Sequence, residues 1–198
     1  MSADLTVRLD TVQLKSDDRT LVVQQSGQDV RIAGVSGPAG PTWAGKFGGF
    51  FHSSDQTLAA ANTPQLMQLE SSYGASGVEL SNSQIVFPTP GTYVLTFVAQ
   101  LSNLANQVED AVFWLRLNGS DYANSATRCT CVARKSAGSA SSQLVTITFV
   151  GTATAPNDAV AIWWLGTSTD VSLQSDPVST SPAHPAVPSV IVSVSQVA

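Results

Sequence analysis

Between Phe47 and Val197 the chain breaks into short apolar or alternating runs separated by Gly, Pro, Asn, Asp and Ser, and helical spacing is nearly absent. A chain divided in this way has no long helix faces to bury, so its apolar residues must meet across sheets. The strand candidates are Phe47 to Phe51, Gln65 to Glu70, Val78 to Leu80, Gln84 to Phe87, Thr92 to Leu101, Ala111 to Leu117, Cys129 to Arg134, Leu144 to Ala153, Ala159 to Leu165, Val171 to Gln174 and Ser189 to Val197. A helical turn is expected only at Gln56 to Ala61, where Asn62-Thr63-Pro64 would stop it. About ten short strands in one such stretch predict an all-β fold, an antiparallel sandwich or jelly roll.

With 198 residues, 43% of them hydrophobic, the chain can bury one sizeable core. Charged residues make up 12%, about half the usual share. The net charge is −5 and the few Lys and Arg are scattered, which argues against nucleic-acid binding. No run approaches the ~18 apolar residues of a membrane span. The start, MSADLTVRLD, carries charge where a secretory leader needs an apolar run, so synthesis in the cytosol is expected.

Residues 1–33 alternate over short runs, as in Leu5 to Leu9 and Leu21-Val22-Val23, with Lys15 to Arg19 as a turn signal between them. Such a segment is too small to stand alone, and is expected to be a β-rich arm that docks on a partner. Residues 34–42 spell three Gly-X-Y triplets on Gly34, Gly37 and Gly40. A collagen triple helix needs this spacing because only Gly fits at its axis, although a plain Gly/Pro linker has the same look. The main domain is then residues 43–198.

The residues point to no enzyme, cofactor or metal. His52 and His184 are isolated, and there is no nucleophile elbow, phosphate loop or dinucleotide fingerprint. Glu109-Asp110, Asp170 and Asp176 read as solvated loop charge, with calcium coordination as the other reading. Cys129 and Cys131 share one face of an extended strand with Cα atoms roughly 6.5 to 7 Å apart. They read as small buried thiols, with a disulfide or a metal site left open. In Trp163-Trp164, neighbours on a strand point to opposite faces. One should enter the core, leaving the other to a subunit contact or a sugar-stacking platform. The proline-rich run from Ser175 to Pro188 is expected to be an ordered surface loop of the kind that carries binding.

The most informative phrase is Ile85-Val86-Phe87-Pro88-Thr89-Pro90-Gly91-Thr92-Tyr93-Val94-Leu95-Thr96-Phe97. It reads as a core hairpin on Phe87, Pro90, Gly91, Tyr93, Leu95 and Phe97, the last three on one buried face. This phrase resembles a hairpin shared by tumour necrosis factor ligands and the complement globular head, with Leu95 where that family has phenylalanine. Phe113 to Gly119, Leu144 to Thr148 and Val190 to Val194 resemble later strands in the same order. Pro156 to Ile162 is similar to the family's Gly-Asp turn, with Asn157 replacing the glycine. The resemblance implies a jelly-roll head of about ten strands and a homotrimer, often preceded by a collagen-like stalk. An arm, Gly-Pro triplets and such a head together resemble bacteriophage fibre, spike or decoration proteins. That likeness implies a virion protein bound to other virion proteins through residues 1–33, with a host surface glycan as a further partner. A carbohydrate-binding module and a secreted complement-like or cytokine-like ligand are the alternatives.

Overall fold

The computed structural model describes residues 15–17, 20–25, 28–33 and 45–198. The neck glycines Gly34, Gly37 and Gly40, and the Leu5 to Leu9 run, lie outside the described residues. The chain divides into two units, Met1–Ala44 and Gly45–Ala198. In the first, β1 (Lys15–Asp17), β2 (Thr20–Gln25) and β3 (Gln28–Ala33) form an antiparallel sheet in the order β1-β2-β3. Leu21 to Val23 fall in β2 as expected, whereas Lys15 to Asp17, expected within a turn, ladder against Thr20 to Val22.

The second unit is all-β, with no helix among the described residues. Its first strands are β4 (Phe47–His52), β5 (Gln56–Thr57), β6 (Gln65–Leu66), β7 (Ser71–Ser76), β8 (Glu79–Ser81) and β9 (Gln84–Phe87). The long central strands follow: β10 (Gly91–Asn103), β11 (Glu109–Leu117), β12 (Ser120–Asp121), β13 (Thr127–Cys131), β14 (Ser141–Ala153) and β15 (Asp158–Gly166). The last are β16 (Val171–Leu173), β17 (Ser179–Thr180), β18 (Ala183–His184) and β19 (Val190–Gln196).

Two antiparallel sheets face each other. One is built on β4-β19-β10-β14 and the other on β9-β15-β11-β13. The connections β9 to β10, β10 to β11, β13 to β14 and β14 to β15 each pass from one sheet to the other, which is a jelly-roll sandwich.

The Phe87 to Gly91 turn is therefore not a hairpin. β9 ladders with β8 and β15, whereas β10 ladders with β14 and β19. Pro88 and Pro90 have no N–H to give to a ladder, so the segment turns a corner between sheets. The expected inward face holds, since Phe87, Tyr93, Leu95 and Phe97 are all buried. Phe87 and Tyr93 pack with ring centroids 4.3 Å apart, and the Tyr93 hydroxyl donates to the Thr89 carbonyl at 2.8 Å, tying the corner down. A Cβ on Gly91 would lie 2.3 Å from Gln196 Nε2 and 2.7 Å from the Ala198 carbonyl, so only glycine fits there.

The β14 to β15 connection is a second corner. Asn157 takes a positive φ of 66°, which Asn tolerates best after Gly. Asp158 accepts backbone bonds from Thr154 at 2.7 Å and Ala155 at 3.0 Å, and one from Asn118 Nδ2 at 2.9 Å. These bonds, the Ala155 amide first and then Asn118, hold its carboxyl below the usual aspartate range. Asn118 and Gly119, at φ 49° and 82°, do make a tight hairpin in which Leu117 pairs with Ser120.

Aromatic rings join the two layers. Phe97 lies 5.6 Å from Phe113, and Phe113 stacks on Trp164 at 6.3 Å. Gln56 to Ala61 is not helical. The Gln56 side chain bonds both the N–H and the carbonyl of Gln68, which fixes β5 as extended before the turn at Asn62. Of Gln65 to Glu70 only Gln65–Leu66 is strand, while the polar β7, with no alternation to mark it, pairs along β4. Cys129 and Cys131 are both free thiols, raised above the usual thiol range by burial.

Candidate interaction surfaces

Side chains alternate across each sheet, so the residues between the core positions form two outward faces. On the β4-β19-β10-β14 sheet these are Phe47, Gly49 and Phe51, then Ile191, Ser193 and Ser195, then Thr92, Val94, Thr96, Val98 and Gln100. On β14 they are Ser142, Leu144, Thr146, Thr148, Val150 and Thr152. None of them is Asp, Glu, Lys, Arg or His. Several are apolar yet exposed, Leu144 by 59% and Val150 by 66%. At the centre, the Thr96 and Thr148 hydroxyls bond each other at 2.9 Å. Along the β4 side, the Tyr73 ring lies across Gly49 and stacks on Phe51 at 5.7 Å.

β14 is also an edge. It ladders with β10 over its 13 residues, and its other side carries no ladder among the described residues. Its sequence, Ser-Ser-Gln-Leu-Val-Thr-Ile-Thr-Phe-Val-Gly-Thr-Ala, contains no charge or proline, the usual protections of an exposed edge. Beside it an apolar cavity of about 280 Å³, lined by Phe87, Tyr93, Leu95, Leu115 and Phe149, reaches the surface at Tyr122 and Val150.

The opposite face is built differently. It carries Glu79, Asp110, Arg116, Asp121 and Arg128, and four of these pair: Arg116 Nε lies 2.6 Å from Asp121 Oδ1 and Arg128 lies 3.6 Å from Asp110. Trp163 stands on this face and Trp164 in the core, where Trp164 is fully buried. Trp164 is therefore withdrawn as a subunit or glycan contact. Trp163 is half-buried and sits directly opposite Trp114 on β11. The Arg116 guanidinium lies 3.8 Å over the Trp163 ring. Trp114 Nε1 donates to Asp121 Oδ1 at 2.7 Å. The Arg116 bond, and then the Trp114 bond, lower the Asp121 carboxyl.

Trp114, Arg116 and Asp121 do not stand out in the sequence reading. Trp114 is two residues from Arg116 on one strand, and that period-2 spacing is the signal that would have found these two; Asp121 comes opposite Arg116 only through the β11–β12 turn. Ser175 to Pro188 is bridged at Asp176 and Val187 and laddered through β17 and β18, but it contains no Trp, Tyr or Phe.

No protein-family model matches the chain, and no curated protein matches it. In structure it is similar to murine APRIL, solved by crystallography at pH 8.5. The two share 13% sequence identity, over 77% of this chain and 99% of that one, with a TM-score of 0.45.

Proposed function

We propose that the chain is a non-enzymatic bacteriophage virion protein, a short homotrimeric appendage whose jelly-roll head faces outward and touches the host surface. The observation that carries the trimer is the uncharged face of β4-β19-β10-β14 continuing onto the bare edge of β14. Left in water, that surface exposes valine, leucine and backbone groups without a ladder partner among the described residues, and such a surface favours association. Covering the edge of one copy with the face of the next joins two different patches, and such a contact closes only as a ring. The Gly34, Gly37 and Gly40 triplets favour three-fold closure, in line with the family resemblance.

The virion reading is supported by the order of parts. A segment of 33 residues, too short to bury a core of its own, precedes the Gly-rich segment and the head, which suits an arm that folds against another virion protein. Light scattering on the full chain is expected to give three times the 20.6 kDa chain mass. A monomer at micromolar concentration would overturn the trimer. Deleting residues 1–33 is expected to leave a folded head and abolish its incorporation into particles, and a truncated head present at normal copy number would reverse the proposed orientation.

A further inference from the structure

We propose that the outward face of β11, β12 and β15 is a binding site for a neutral carbohydrate, with Trp114, Trp163, Arg116 and Asp121 as its platform. This rests on the reading that the head meets a host surface, and names the site and the ligand class.

Trp114 and Trp163 are paired across neighbouring strands, so two large rings stand side by side on the outside of the sheet. A core has no use for them there. They are also held still: Asp121 Oδ1 accepts both the Trp114 indole N–H and the Arg116 Nε–H, at 2.7 and 2.6 Å. The guanidinium so positioned lies 3.8 Å over the Trp163 ring. Rings fixed in advance lose little conformational entropy when something settles on them.

The groups left over define the ligand. Asp121 is exposed, and its Oδ2 accepts no hydrogen bond among the described residues. The two terminal nitrogens of Arg116 donate none among them either. With Arg116 over Trp163, the site offers the half-buried Trp114 ring with one acceptor and a pair of donors at its border, and the charges of Arg116 and Asp121 cancel. A pyranose has a patch of C–H groups on one face and hydroxyls at its rim that both donate and accept, which matches each of these features. An anionic ligand would have to compete with Asp121 for Arg116, and a cationic one with Arg116 for Asp121, so the charge balance selects a neutral sugar. Trp164, buried in the core, takes no part.

The test is binding of the full chain to an array of immobilised neutral oligosaccharides of glucose, galactose and N-acetylhexosamine, with sialylated and uronate-containing glycans alongside. Saturable binding to at least one neutral oligosaccharide is expected, accompanied by a shift in tryptophan emission. Trp114→Ala is expected to weaken it by at least about ten-fold, and Trp114→Phe to recover part of the loss, because a ring returns. Arg116→Lys, a milder change, keeps the charge but loses the guanidinium's fixed fork of donors and is expected to weaken binding too. Binding to no neutral glycan, binding only to anionic ones, or binding unchanged in Trp114→Ala and Arg116→Lys would each overturn the site. Light scattering on the same samples separates the two readings. A trimer that binds no sugar removes the platform alone, and a monomer that binds one removes the trimer alone.

Discussion

The two outward faces of the sandwich are made by the same backbone geometry and hang from the same core, yet one carries charges, most of them paired, and the other has none. On β11, β12, β13 and β15 the outward positions hold Asp110, Arg116, Asp121 and Arg128 around two tryptophans. Such a face is content in water, where exposed ion pairs are screened and contribute little, and it can hold a polar ligand. On β10, β14 and β19 the same positions hold Val, Thr, Ser, Leu and Ile. A face of that kind differs from a core only in having hydroxyls among its methyls, and it gains when water leaves it. The contrast teaches that one sandwich can carry two faces of different chemistry, the uncharged one suited to the self-association proposed above and the charged one to a polar ligand.

The strongest way to break this comparison is a charge at the centre of the uncharged face. Thr148→Glu is exposed in the single chain and is expected to cost it below about 1 kcal/mol. In a trimer the unpaired carboxylate would be buried at a cost of roughly 3 to 5 kcal/mol, so light scattering is expected to report a monomer that unfolds cooperatively. Thr130→Lys, beside Asp110 on the charged face, should leave the mass unchanged. A Thr148→Glu trimer, or a Thr130→Lys monomer, would erase the distinction between the faces.

The second test asks whether both faces depend on one shared layer. Phe97 touches Phe113 of the opposite sheet and lies 6.4 Å from Phe149 of β14. Phe97→Ala is expected to cost about 3 to 5 kcal/mol, measured by urea unfolding in the Thr148→Glu background so that dissociation does not enter. A loss below about 1 kcal/mol would mean that the sheets do not rely on this contact.

The smallest effect sharpens the comparison at the corner where the uncharged β14 hands over to β15. Because the Asp158 carboxyl is lowered in the folded chain, the unfolded chain binds the more protons just below the ordinary value of about 3.9. Its contribution is therefore complete above that value and is lost as pH falls through the lowered folded one. Asp158→Asn is expected to flatten part of the acid limb in urea midpoints measured from neutral pH downward. Glu70, Glu109 and Asp121, lowered by their own hydrogen bonds, leave the rest of the limb in place. An acid limb unchanged by the substitution would show that the Asp158 cap adds nothing to the corner.

Much of the architecture was legible because period-2 alternation reports burial directly. Gln84–Phe87 was read to the residue, and Phe47 to Phe51, Thr92 to Leu101 and Ala159 to Leu165 to within one or two. β7 was not legible, because Ser-Ser-Tyr-Gly-Ala-Ser is an edge strand with little side chain in the core and its shape comes from pairing with β4. The platform was half legible. Adjacent tryptophans on a strand must part company, but nothing local says which of the two goes in.

The amino-acid order by itself determined that the chain is all-β, where its long strands run and that Tyr93, Leu95 and Phe97 share a face, since each follows from side-chain spacing along a strand. Only the tertiary structure decided which strands pair. Phe87 to Gly91 has the local signals of a hairpin, but its proline nitrogens cannot ladder, and the better partners, β15 on one side and β14 on the other, lie far along the chain. That choice of distant partners set Trp163 beside Trp114 and sent Trp164 into the core. It also gathered the uncharged residues of β10, β14 and β19 onto one face, because a face is a property of the strands that stand next to each other, and sequence proximity does not decide that.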